Sequence, residues 1–225
     1  MRPPVRQIEL YELPWSPYCL VIRRLLEYSG VAHRRIRVGM TTRTVVWKLT
    51  RERYYQVPVI RDGESVLFET DATSQVLAKY LDAKLQLNLF PAGLEGVQSL
   101  LWRYVEDDLE GVAFKLNDIH WRTFVPPREQ LDFLRFKERK FGRGCLDRWA
   151  AEQDQLQAEL ASRLQPFEAM LCNKDFLLDF RPHFLDFDLW GVLANYMWTG
   201  KNRLPAMHNR LGGWYARMCR LTLST

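Results

Sequence analysis

The sequence lacks any run of about 18 uncharged apolar residues, the length a membrane-crossing helix needs. Its first residues, Met1-Arg2-Pro3-Pro4-Val5-Arg6, carry no apolar signal-peptide core, so a soluble, cytoplasmic protein without membrane contact is expected. Cysteine is scarce and dispersed: Cys19, Cys145, Cys172 and Cys219 form no short pair, which argues against a disulfide framework and against a zinc site. His33, His120, His183 and His208 are scattered as widely, so no metal is expected. Internal repeats and low-complexity tracts are also missing. Acidic residues fail in two places. Between Val31 and Ile60, Glu52 stands alone against Arg34, Arg35, Arg37, Arg43, Lys48, Arg51 and Arg53, and after Asp188 the chain has no acid at all. No nucleic-acid-binding motif accompanies either basic stretch, so each reads first as a solvated face, with a small anionic ligand as the other reading of the first.

What the chain has is length and apolar content for two modest cores: 225 residues, 47% hydrophobic and 26% charged. Ile8 to Tyr11 reads as a strand and Glu12 to Trp15 as a loop. From Pro17 the period changes, with Tyr18, Val21, Ile22, Leu25 and Leu26 on one helical face, Ser16 as cap, Pro17 at the first helical position and Gly30 as stop. Ala32 to Val38 reads as a second strand and Thr42 to Thr50 as a short helix. Val57 to Ile60 and Ser65 to Phe68 read as a hairpin around Asp62-Gly63, and Asp71 to Leu85 as a helix. Pro91-Ala92-Gly93 ends this α/β unit. Beyond it only helical periodicity remains, in segments near Leu94–Leu116, Arg128–Lys140, Cys145–Leu171, His183–Thr199 and Ala206–Leu221.

A strand entering Ser16-Pro17-Tyr18-Cys19 with Arg23 following, then Val57-Pro58-Val59-Ile60, a glycine turn and an acid-hydroxyl pair before a helix resembles the thioredoxin-like domain of the cytosolic glutathione transferase superfamily, in its serine/cysteine, bacterial-like form. Phe184 to Gly191 is similar to the motif that opens the central helix of that family's helical domain, with His183 in place of a capping Ser or Thr. The resemblance implies an α/β thioredoxin-like N-terminal domain over residues 1–87, with a mixed four-stranded sheet, and an all-α domain over 92–225 that forms the second-substrate pocket. It implies a homodimer that uses glutathione as co-substrate against a small hydrophobic electrophile, in the chemistry of detoxification.

Residue by residue, the resemblance makes Ser16 the group that activates the glutathione sulfur. A hydroxyl donor at the positive end of a helix stabilises a thiolate, although the same residue also reads as a plain helix cap. Pro58 is implied to be cis, so that Val57 offers its backbone to the cysteinyl part of glutathione. Glu69 and Thr70, at the family's spacing from Pro58, are implied to hold the γ-glutamyl end. Counting back from Tyr80-Leu81 gives Thr73-Ser74 instead, a discrepancy of about one helical turn that reads as an extra turn of helix. Lys48, Arg43 and Gln56 are candidates for the glycyl carboxylate. Trp102, Tyr104, Asp107 and Phe114 read first as core and second as pocket lining. Ser16-Pro17-Tyr18-Cys19 also looks like a glutaredoxin site whose attacking first cysteine is gone. Two other readings stay open: a transferase-like binding or scaffold protein without turnover, and a glutathione-dependent thiol reductase using Cys19.

Overall fold

The computed structural model describes residues 7–71 and 75–223, and the chain divides into two units at Asn88 and Leu89, with Thr222 and Leu223 grouped with the first. In the first unit, Ile8–Glu12 forms β1, Pro17–Ser29 α1, His33–Arg37 β2, Thr44–Leu49 α2, Val59–Asp62 β3, Ser65–Leu67 β4 and Val76–Leu85 α3. The sheet order is β2-β1-β3-β4. β1 runs parallel to β2, while β1 with β3 and β3 with β4 are antiparallel. This is the mixed four-stranded sheet expected from the sequence. β1 lies inside the sheet and is buried along Ile8, Leu10 and Tyr11. The edge strand β2 is mostly basic and exposed, a composition that discourages pairing with other chains. Glu9 lies opposite Arg34 on one side and Arg61 on the other, and its carboxylate reaches both, at 2.5 and 3.7 Å, so charge pairing follows the register.

α1 forms for the reasons read in the sequence. Ser16 has the extended φ and ψ of a cap, Pro17 opens the helix, and Gly30 takes φ 68°, which a side chain would resist, while its N–H bonds the Glu27 carbonyl. Cys19, Leu20, Ile22, Leu25 and Leu26 are buried, and α1 packs on α3. The expected helix from Asp71 to Leu85 is described only from α3 onward: Asp71 lies in a bend, Gln75 adopts φ 48°, a left-handed conformation, and α3 begins at Val76. The expected extra turn falls on residues 72–74, outside the described residues. At the far end of the chain the Leu223 N–H bonds the Tyr28 carbonyl of α1.

The second unit is helical: α4 (Glu95–Arg103), a π-type segment (Tyr104–Leu109), α5 (Glu110–Asp118), α6 (Gln130–Phe141), α7 (Cys145–Ala151), α8 (Gln153–Met170), α9 (Phe184–Tyr196) and α10 (Asn209–Arg220). All thirteen residues of α9 are buried, which explains why its sequence is apolar all round. Gly142 and Gly144, at φ 90° and 69°, separate α6 from α7. Several of the polar groups that enter this core are paired. Asp186 accepts from the His183 N–H (2.9 Å), the Leu177 N–H (3.0 Å) and the Trp214 indole (2.8 Å). Glu168 accepts from the Arg210 and Leu211 N–H groups at the start of α10. Lys137 reaches buried Asp118 at 2.5 Å while standing over the Phe114 ring at 4.4 Å, a cation–π contact.

Facing α9, the π-type segment and α5 bring Glu106 and Glu110 toward buried Asp188. Burial lifts the Glu110 carboxyl to about 7. Burial, together with the Glu106 and Glu110 charges, holds Asp188 well above the usual carboxylate range.

Two outcomes follow for stability. Asp186→Ala leaves three buried donors without an acceptor and should cost about 3 kcal/mol or more, read as a lower urea midpoint at unchanged m-value. Because Glu110 holds its proton in the fold at a pH where the unfolded chain, with its value near 4.5, has lost it, stability should fall as pH rises from about 4.5 to about 7. Glu110→Gln should flatten that fall, as measured by urea unfolding across the range.

Candidate functional site

The register of the sheet decides which segments can share a site. β1 and β2 are parallel and run toward Glu12 and Arg37, and the Val38 N–H bonds the Glu12 carbonyl at 2.8 Å. β3 is antiparallel to β1 with Val59 opposite Tyr11, so β3 starts where β1 ends. β4 is antiparallel to β3 with Leu67 opposite Ile60, so β4 also ends there. The loop to Ser16, both ends of the connection that carries α2, the Val57-Pro58 bond and the start of the segment carrying Glu69 and Thr70 therefore all lie at one end of the sheet.

Ser16 is half-buried at the start of α1. Its N–H bonds the Leu13 carbonyl (3.0 Å) and its carbonyl accepts from Leu20 (2.9 Å), but its hydroxyl makes no capping bond to the helix. Cys19 lies one turn on, and the Ser16 hydroxyl is among the groups that act on its thiol. Cys19 is fully buried, and burial pushes its thiol up to about 12 against the opposing hydrogen bonds from the Leu13 backbone and the Ser16 hydroxyl.

The Val57-Pro58 bond is cis, and both residues are buried. The approach to it is held by Thr50, whose hydroxyl donates to the Tyr54 carbonyl (2.7 Å) and accepts from the Tyr54 N–H (3.1 Å). Tyr54 stacks on Phe68 at 4.9 Å between ring centroids. Its phenol is pushed up to about 12, first by burial and then by the Glu69 charge, with Cys19 adding and Arg43 opposing, so each of these three groups lies within electrostatic reach of Tyr54. Tyr54 and Thr50 escaped the sequence reading, since neither stands in a recognisable pattern.

Glu69 is half-buried and its carboxylate accepts from the Val76 (2.7 Å) and Leu77 (3.1 Å) N–H groups, the first free amides of α3. It therefore caps across the residues between. Thr70 is exposed and its hydroxyl meets the Asp71 carboxylate at 3.4 Å. Thr73-Ser74 lie outside the described residues. Lys48 and Gln56 are exposed, and Arg43 is half-buried with its Nε 3.4 Å from the Met40 carbonyl.

In the second unit, Trp102 is buried, the Tyr104 hydroxyl bonds the Arg163 carbonyl, and Phe114 packs against Phe141 and Trp149, whereas Asp107 is exposed. Trp102 thus belongs to the core, while Tyr104 and Phe114 are half-buried. Among the described residues no group of three or more His, Cys, Asp or Glu side chains could hold a metal ion, and no helix is long and apolar enough to cross a membrane.

Residues 10–87 match the family model described as "Glutathione S-transferase, N-terminal domain". The whole chain is similar in fold to the glutathione transferase GSTFuA3 from Phanerochaete chrysosporium, with 19% identity, a TM-score of 0.80 and coverage of 97% of this chain and 98% of that one. It is similar also to the glutathione S-transferase CsGST83044 of Ceriporiopsis subvermispora, solved in complex with glutathione, with 20% identity, a TM-score of 0.79 and coverage of 96% and 97%. A glutathione S-transferase from Xylella fastidiosa matches with 17% identity, a TM-score of 0.65 and coverage of 95% and 93%. No curated protein matches at the sequence level.

The cysteines differ sharply in setting: Cys172 and Cys219 are exposed, whereas Cys19 and Cys145 are buried with thiols pushed up by burial. Iodoacetamide at neutral pH should label Cys172 and Cys219 and leave Cys19 unmodified until the chain is unfolded, as read by peptide mass mapping.

Proposed function

We propose, from the premise that the fold and the first unit are those of the cytosolic glutathione transferase superfamily, that this chain is a glutathione transferase in which Ser16 stabilises the glutathione thiolate. The observation that carries the reading is the state of the Ser16 hydroxyl. It stands at the amino end of α1, half-buried, and is not spent on capping the helix. Its partner is a sulfur, that of Cys19. A hydroxyl already placed to donate to sulfur, beside the positive end of a thirteen-residue helix, lowers the cost of a second thiolate brought to it. A lower thiol pKa raises the population of nucleophile at neutral pH, and the thiolate then attacks a small hydrophobic electrophile.

In this reading the Val57 backbone, next to the cis bond to Pro58, pairs with the cysteinyl part of glutathione. Glu69, held on the first amides of α3, receives the γ-glutamyl ammonium, with Thr70 beside it. Lys48 and Gln56 follow β2 and precede Val57 at the same sheet end and meet the glycyl carboxylate. The resemblance alone supports a homodimer working in the cytoplasm.

The thiol-reductase alternative is weakened by Cys19 itself. A fully buried thiol with a pKa of about 12 is almost entirely protonated at neutral pH and cannot be reached by a disulfide.

The test is retention on immobilised glutathione followed by turnover of a chlorinated aromatic substrate. Wild type should be retained, Ser16→Ala should lose about 10²-fold in turnover, the scale for removing one preorganised donor, and Cys19→Ala should keep most of it. Activity lost with Cys19→Ala and kept with Ser16→Ala would overturn the assignment, and a wild type that ignores glutathione would favour a non-catalytic binding protein.

A further inference from the structure

We propose that Arg23 is a positioning residue for Ser16, acting by fixing the loop that carries the hydroxyl; the inference rests on the reading of Ser16 given above. Ser16, Cys19 and Arg23 are spaced i, i+3 and i+7, so the three share one face of α1 and Arg23 sits two turns from the site. An arginine there is unexpected on packing grounds. The surrounding positions Leu20, Ile22, Leu25 and Leu26 are buried and apolar, and Arg23 is itself only 7% exposed. Burying a guanidinium is costly unless every donor finds a partner.

The partners it finds are all upstream of Ser16. Nε and Nη2 donate to the Glu12 carboxylate, both to Oε2, at 2.9 and 2.7 Å, and Nη2 donates also to the Pro14 carbonyl at 2.9 Å. Glu12, 2% exposed at the end of β1, is held from the other side by Arg35 of β2, whose Nε meets Oε1 at 2.7 Å. The guanidinium thus couples the last residue of β1 to the loop beyond it. With the Ser16 N–H on the Leu13 carbonyl and the Leu20 N–H on the Ser16 carbonyl, the whole turn from Glu12 to Ser16 is anchored to α1 and to the sheet. Arg35 serves the same carboxylate, but its one described bond reaches no loop carbonyl.

Arginine suits the task because its planar fork presents several donors at once, whereas a lysine ammonium is a single compact centre. Without the fork, the Pro14 carbonyl loses its tie and the Ser16 hydroxyl is no longer held at a fixed place. An unheld donor stabilises a thiolate less, because orienting it then costs free energy at the moment it is needed. The charged and titratable groups around the turn include Glu12 from β1, Cys19 and Arg23 from α1, Arg35 from β2, Arg37 of β2 over the Trp15 ring at 5.7 Å, and Tyr54, on whose phenol Cys19 acts.

The experiment compares wild type, Arg23→Met, Arg23→Lys and Arg35→Met at saturating glutathione, each checked for a cooperative thermal transition. The readouts are the pH midpoint of the thiolate absorbance of bound glutathione and the KM for glutathione. Arg23→Met should raise the midpoint by about one pH unit, about tenfold less thiolate below the midpoint, with KM changed by less than about threefold. Arg23→Lys, the milder variant and the one measured if the methionine protein does not fold, should move the midpoint in the same direction by less. Arg35→Met, which also removes a charge and an ion pair to Glu12, should leave it in place. An unmoved midpoint in the folded Arg23 variants, or an equal shift in Arg35→Met, overturns the positioning role while leaving Ser16 as the activating group. Absence of any thiolate signal in wild type overturns the Ser16 reading and this one together.

Discussion

The constraint on which the first unit depends is the register of its sheet. Tyr11 opposite Val59 and Ile60 opposite Leu67 bring the end of β1, the start of β3 and the end of β4 to the same place, and the parallel β2 delivers the loop to α2 there as well. A one-residue slip would turn every side chain over. It would bury the Arg34–Glu9–Arg61 row and expose Leu10 and Ile60, so the hydrophobic pattern and the charge pairing enforce one alignment. The segments that carry Ser16, the cis Val57-Pro58 bond and Glu69 come to one end of the sheet through backbone pairing.

Both units place buried charge at their turning points, with different consequences. In the first, Glu12 is shared by Arg23 and Arg35, so the ions lie beneath the loop that leads to Ser16. In the second, Asp186 gathers three donors at the start of the wholly buried α9, while Asp188, two residues on, faces Glu106 and Glu110, and burial with their charges holds its carboxyl well above the usual range. Breaking an arrangement of this kind by removing one partner is more damaging than never having built it. Such groups therefore fix which backbone arrangement is adopted more than they add to its stability. The π-type segment that carries Glu106 fits this view, since a π-bulge re-aims side chains where a regular helix would not.

Much of this was legible in the sequence, for stated reasons. The strands and α1 followed from period, cap and stop, and the helical second half from its lack of alternation. The cis bond at Pro58 and the four-stranded sheet followed from the resemblance. The start of α3 was not legible. Glu69 reaches over the intervening residues to cap Val76 and Leu77, and a long-range cap with a left-handed Gln75 leaves no periodic trace. The break at Glu152 that splits the expected helix from Cys145 into α7 and α8 was missed because its apolar spacing continues across it. Within the candidate site, Ser16 was readable as a cap or a donor but not as which. In the structure its hydroxyl makes no capping bond to α1. Tyr54 and Arg23 were hidden because their roles come from tertiary neighbours, although the spacing of Arg23 from Ser16 was a clue in plain view.

The direct measurement of the central claim is a crystal structure of the protein soaked with glutathione. It should show the glutathione sulfur within hydrogen-bond reach of the Ser16 hydroxyl, about 3.5 Å for an O–H donor to sulfur, with the hydroxyl turned away from Cys19 and the cysteinyl backbone paired with Val57. Glutathione bound with its sulfur nearest another donor such as the Tyr54 hydroxyl, and Ser16 still directed at Cys19, would contradict it.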